Sequence, residues 1–308
     1  MKATSPQGAS KAKEDPVATN AARRRFLVRP RRKTAVLTGA SSGLGVTFAN
    51  ALATNGANVV LAARREDRLK EVQAGLPSGT RSIVTPCDIT QPDQIEAMCD
   101  AAMEEFGAID VFVANAGVVT EGVPVIEKTP PALFAAGMDA NVTGTFNCMT
   151  AAARRMLPAG TGSIIAIASI AGMSGHRGFF PAYTAAKAAL IQMARNMGSA
   201  WASRGVRVNA IAPGWFPTEM TEGLLGIPAF ADMCDRMTPA GRLGRPEELV
   251  GPLLLLASDA GSYVTGSVVA VDGGWTSTTG SSPASDEVAE VFAGLMPDGL
   301  GEPIVPAR

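Results

Sequence analysis

The chain has little of what enzymes most often use. Among 308 residues there is one histidine, His176, which argues against an imidazole metal centre and against a Ser-His-Asp relay. Its four cysteines, Cys87, Cys99, Cys148 and Cys234, form no C-x-x-C pair, and nothing resembles a secretory signal, so reduced thiols in a cytoplasmic protein are expected. No apolar run reaches the roughly 18 residues that a spanning helix needs, so no membrane role is expected. Charged residues make up only 18% of the chain and tyrosines number two, Tyr183 and Tyr263.

What is present is glycine, at 33 residues, within a chain that is 46% hydrophobic. That composition fits a packed α/β protein rather than a disordered one. Apolar runs ending in small or turn-forming residues recur: TAVLTGA, ANVVLAAR, SIVTPCD, IDVFVANAG, GSIIAIAS, VRVNAIAPG and SVVAVDGG. Helical segments separate most of them, as in QPDQIEAMCDAAMEEFG, where Pro92 stands near the start. Strands that are apolar throughout, alternating with helices, predict a parallel sheet covered on both faces. Residues 33–275 are therefore read as one doubly wound, Rossmann-type domain.

The two ends differ from this core. Ten of the 27 Lys/Arg fall in residues 1–33 against two acids, so that stretch stands near +8 and the remaining 275 residues near −9. A basic extension over 1–32 is expected to be flexible or to contact another subunit, and no nucleic-acid partner is expected. Residues 276–308 read as a linker and a short helix, whose stripe of Val288, Val291, Phe292 and Leu295 has helical spacing.

The first predicted strand ends in TGASSGLG, with Gly39, Gly43 and Gly45 around Ser41, Ser42 and Leu44, and a helix follows. A glycine loop there lets the backbone approach a pyrophosphate at the helix N-terminus. Sites for NAD commonly carry an acid at the end of the second strand, whereas a 2′-phosphate needs cations. Here Ala63 stands at the acid's place and Arg64 and Arg65 follow, which predicts NADP(H), with NAD(H) as the alternative. Further along, AYTAAKAAL sets Tyr183 and Lys187 four apart, on one face of a helix. By itself that pair is open between chance and chemistry.

Taken together, TGASSGLG, CDIT, NAG at 115–117, Asn141, Ser169, YTAAK, PGWFPT and VDGGW resemble the short-chain dehydrogenase/reductase family over about residues 33–275. The resemblance implies a seven-stranded, mainly parallel sheet and hydride transfer between a nicotinamide and an alcohol or ketone. It also implies a homodimer or homotetramer. Tyr183 would be the general acid/base, with Lys187 bonding the nicotinamide ribose and lowering its pKa, Ser169 holding the substrate oxygen, and Asn141 extending a proton relay through water. Cofactor contacts would come from the glycine loop and the two arginines, from Asp88 and Ile89, and from Asn115, Ala116 and Gly117. Pro213, Gly214, Phe216 and Thr218 would complete them, the last at the carboxamide.

Three departures from the family pattern stand out: Ala114 for a second Asn before NAG, Ser42 where NADP-preferring members often carry a base, and a Ser169–Tyr183 spacing one residue longer than the commonest. His176, Phe180, Trp215 and Met220 are expected to line the substrate pocket. A 3-oxoacyl carrier-protein reductase is the alternative within the family, and a non-catalytic nucleotide-binding regulator the alternative outside enzymes.

Overall fold

The computed structural model describes residues 32–120, 126–175 and 180–277. All seven apolar runs form strands: β1 Thr34–Thr38, β2 Asn58–Ala63, β3 Ser82–Pro86, β4 Val111–Ala114, β5 Gly162–Ile167, β6 Val206–Pro213 and β7 Val268–Val271. They pair in the order β3-β2-β1-β4-β5-β6-β7, every neighbouring pair parallel. After β3 at one edge the chain returns to the middle and β4 pairs with β1. Connections on either side of that point diverge, which leaves a crevice at the carboxyl ends of β1 and β4.

The helices among the described residues are α1 Leu44–Thr54, α2 Glu66–Ala74, α3 Pro92–Phe106, α4 Pro131–Met138, α5 Thr145–Ala159, α6 Pro181–Trp201, α7 Glu222–Leu225, α8 Pro228–Met237 and α9 Val250–Ala257. Local chemistry sets several of their ends. Pro92 opens α3, where its missing N–H costs no hydrogen bond, and Gly107 closes it in a left-handed conformation at φ 76°.

The sheet is buried on both faces because successive side chains alternate across it. In register, Val36, Val60, Phe112, Ile164 and Val208 pack against Met98, Met149 and Leu190 of α3, α5 and α6. The next residues along, Leu37, Leu61, Val113 and Ile165, pack against Phe48, Leu52 and Leu253 of α1 and α9. These strands are pinned from both sides, so the loops at their carboxyl ends are held in place. The four cysteines are free, buried thiols, of which Cys87, Cys99 and Cys148 lie in this core, and no described helix is long and apolar enough to cross a membrane. Most of the basic extension and the stripe at 288–295 lie outside the described residues.

Candidate active site

The site begins where β1 ends. Gly39 takes φ +67°, and a Cβ there would lie 2.8 Å from the Ala116 Cα, so only glycine allows the turn after β1 to close on the turn after β4. The two turns are stitched together. The Asn115 side-chain amide donates to the carbonyls of Thr38 (3.0 Å) and Gly39 (3.1 Å), and the Thr38 hydroxyl accepts from the backbone N–H of Asn115 and of Ala116. Gly43, at φ 53°, precedes α1 and provides no side-chain cap, while Gly45 packs beneath the loop against Gly39. The Gly45 and Val46 N–H groups bond back to the Ser42 and Gly43 carbonyls at 3.2 Å, and with no side chain capping the helix its positive end stays open toward an anion.

From this loop a single cavity of about 660 Å³ runs across the carboxyl end of the sheet. One end is walled by Ser41, Ser42, Leu44, Arg64, Arg65, Asp88 and Ile89; the other by Ser169, Tyr183, Lys187, Pro213, Gly214, Phe216 and Thr218, with Asn115, Ala116 and Gly117 along the floor. Residues from six strand ends therefore meet in one space.

At the far end three polar side chains converge. Ser169 follows β5 in extended backbone and caps a short turn, its Oγ accepting from the Ala171 N–H at 3.1 Å. Its hydroxyl also hydrogen-bonds the Tyr183 phenol. Lys187 sits one turn further along α6, with its Nζ donating to the Ile167 carbonyl at 2.8 Å and lying 5.4 Å from the centre of the Tyr183 ring. Lys187 is 4% exposed, and burial pulls its pKa from 10.5 down to about 8. Burial pushes the Tyr183 phenol above its usual 10, while the Ser169 hydrogen bond pulls it back down. In the protein alone the net direction is upward, because burial penalises phenolate more than the Ser169 bond favours it; the lowering that the resemblance implies includes the positive charge of a bound nicotinamide.

At the near end the two arginines are unlike. Arg64 lines the cavity and makes no hydrogen bond or ion pair among the described residues. Arg65 is engaged in a two-pronged pair with Glu219, Nη1–Oε1 3.0 Å and Nη2–Oε2 3.1 Å. Asp88 accepts from the N–H and hydroxyl of Thr90, at 2.9 and 2.8 Å, and these bonds hold its carboxyl below the ordinary range, with a smaller contribution from Arg64.

Other predicted residues stand elsewhere. Asn141 is buried inside a π-turn, Asp139–Gly144, and spends its side-chain amide on Val118, accepting from its N–H at 2.9 Å and donating to its carbonyl at 2.8 Å. It thus braces the floor, and its side chain makes no bond to Lys187. Trp215 lines a separate cavity of about 130 Å³ and stacks edge-on against Phe230 and Trp275. The sequence suggests a pocket residue there because Trp215 adjoins Gly214 and Phe216, but one step along the chain turns it to the other side of the loop. Phe180 precedes α6 at φ 55° and is not part of the cavity wall. Met220 is in the wall, and His176 lies outside the described residues. Glu219, Thr221 and Thr90 are site residues that sequence reading passed over. No spacing signal marks them: Glu219 gains its place by meeting Arg65 from a distant loop, whereas Thr90 and Thr221 are held by bonds within their own turns.

A doubly wound sheet with a glycine loop at its switch point, facing a Ser-Tyr-Lys cluster across one cavity, defines a dinucleotide-fold oxidoreductase. The family profile described as Enoyl-(Acyl carrier protein) reductase matches residues 39–276. A cis-4-hydroxycyclohexanecarboxylate dehydrogenase of Sinomonas cyclohexanicum is 39% identical over 244 residues, covering 79% of this chain and 96% of that protein. Among solved structures, a short-chain type dehydrogenase/reductase from Mycobacterium marinum is 40% identical at TM-score 0.76, over 82% of this chain and 98% of that one. A gluconate 5-dehydrogenase from Burkholderia cenocepacia J2315, solved in complex with NADP and tartrate, is 33% identical at TM-score 0.77, over 83% and 100%. The chain belongs to the short-chain dehydrogenase/reductase family and is an oxidoreductase of the kind that acts on hydroxyl and carbonyl groups.

Proposed function

We propose that the protein interconverts a small secondary alcohol and its ketone with NADP(H), using Tyr183 as general acid/base. The observation that carries this reading is the convergence of Ser169, Tyr183 and Lys187 at one end of the same cavity whose other end holds the glycine loop and Arg64. The residues present suit a dinucleotide. The uncapped start of α1 and the Cβ-free approach at Gly39 suit a pyrophosphate, and Arg64 is available to a 2′-phosphate. A bound nicotinamide would supply the hydride acceptor or donor.

In the reductive direction the Ser169 hydroxyl donates to the ketone oxygen and holds it beside Tyr183, which gives that oxygen its phenolic proton. In the oxidative direction the phenolate takes the proton from the alcohol. The raised phenol pKa keeps the acid form loaded, and a cation in the cavity favours phenolate when a base is required. Lys187, on the Ile167 carbonyl, is placed to bond a ribose at the Tyr183 end of the cavity. Asn141 acts as a positioning residue through Val118. Gly117 is part of that arrangement, since a Cβ there would lie 3.0 Å from the Asn141 Oδ1 and 3.5 Å from the Lys187 Nζ.

Assembly as a dimer or tetramer fits the exposed Leu133 and Phe134 on α4 and Phe146 on α5. The carrier-protein alternative is supported by the description of the family profile and by 3-oxoacyl-[acyl-carrier-protein] reductases 35–36% identical to this chain, while the arginine pair at the cavity mouth, half neutralised by Glu219, does not favour it; the regulator alternative gains no observation, since the cluster it could dispense with is intact. The test is Tyr183→Phe, which should keep NADPH binding and lose at least about 10²–10⁴-fold in kcat on a good ketone. Retention of most of the turnover would refute the mechanism.

A further inference from the structure

The Arg65–Glu219 pair at the cavity mouth has no part in the chemistry above. It joins two loops 154 residues apart: Arg65 stands just before α2, and Glu219 lies between β6 and α7. Both guanidinium nitrogens that face Glu219 are taken, and Nη2 also reaches the Ser41 hydroxyl at 3.5 Å. The Ser42 hydroxyl joins on the other side: hydrogen bonds from Arg65 and then Ser42 hold the Glu219 carboxyl down at about 2, so it is charged throughout the working range. Glu219 is not on a free arm. The Thr221 hydroxyl donates to the Phe216 carbonyl at 2.7 Å and accepts from the Thr218 N–H at 2.9 Å, which knits the loop into a compact turn.

We propose that Glu219 is a cofactor-selecting residue: it occupies the Arg65 fork when no 2′-phosphate is present and must surrender it when NADP(H) binds. This rests on the NADP(H) reading of the site. A phosphate and a carboxylate want the same two donors of a planar guanidinium, and that fork cannot serve both in full. Arg64 has no such competitor among the described residues, so it provides the standing attraction for the 2′-phosphate while Arg65 provides a contested one. NAD(H), with a plain 2′-hydroxyl, leaves the Arg65–Glu219 pair undisturbed. Glu219 thereby narrows the preference for NADP(H) over NAD(H) instead of widening it.

The experiment uses the full chain without added cofactor and reads equilibrium binding, by calorimetry, of NADP⁺, NAD⁺, adenosine 2′,5′-bisphosphate and AMP. Glu219→Gln should bind NADP⁺ and the bisphosphate roughly two- to fivefold more tightly, the range that half-exposed ion pairs reach, with NAD⁺ and AMP unchanged. The gain should vanish in Arg65→Ala/Glu219→Gln, since the competition needs both partners. Glu219→Ala, which removes the side chain's hydrogen-bonding end altogether, should repeat the gain with the same selectivity. If Glu219→Gln and Glu219→Ala leave NADP⁺ unchanged or weaker while Arg64→Ala and Arg65→Ala weaken it, the selecting role is overturned and the NADP(H) reading stands. If neither arginine variant separates NADP⁺ from NAD⁺, the cofactor reading fails and takes this proposal with it.

Discussion

Replacing Lys187 by Met should stabilise the fold while removing activity. The wild-type ammonium is 4% exposed and its pKa falls from 10.5 to about 8, so in the folded protein the charged form is disfavoured relative to the unfolded chain. Each pKa unit corresponds to about 1.4 kcal/mol, which puts the burial penalty at roughly 3 kcal/mol near pH 7. Methionine, of similar length, removes that penalty and leaves the Ile167 carbonyl without its 2.8 Å donor, a loss of about 1 kcal/mol. The net gain is about 2 kcal/mol, or roughly 4–8 °C in Tm for a domain of this size. The sign with pH is fixed. Below the folded value of about 8 both states are protonated and the penalty is complete. Between about 8 and 10.5 the unfolded chain holds more protons than the folded one, so wild-type stability from this group rises with pH. By pH 10 the penalty is under about 1 kcal/mol and the advantage of Lys187→Met should have largely gone. Thermal melts of both proteins without cofactor, at pH 7 and pH 10, test this. A variant no more stable than wild type at pH 7, or one whose advantage is the same at both pH values, would refute the account of Lys187 as a charge held in the cavity at a cost.

Two further substitutions probe the opposite end of the site. Arg64→Ala should raise KM for NADPH by about 10- to 100-fold and leave that for NADH nearly unchanged, the worth of a charge-assisted phosphate contact; steady-state kinetics with both cofactors would show it, and equal effects would remove Arg64 from the phosphate site. Gly39→Ala adds a Cβ 2.8 Å from the Ala116 Cα at φ +67°, so it should lower stability by about 1–3 kcal/mol and weaken dinucleotide binding, read by denaturant unfolding and calorimetry.

Much of this protein was legible in one dimension. All seven strands are apolar runs because a parallel sheet covered on both faces needs no polar alternation, and local composition alone reports that. The glycine loop is legible because its need is local: positive φ at Gly39 and Gly43, and no side chain where two turns meet. The Tyr183–Lys187 pair is legible because four residues make about one helical turn. Tertiary structure alone decided the rest. That β4 returns to pair with β1, bringing Ser169 and Tyr183 to the same cavity as Arg64, follows from packing between strands far apart in sequence. Glu219 meets Arg65, Asn141 spends its amide on Val118, and Trp215 turns away from the cavity that its neighbours line. The same holds for the charge on Lys187 and for the phenol of Tyr183. A residue's type and spacing are written in the chain, but its dielectric surroundings and its partner are set by whatever the fold places against it.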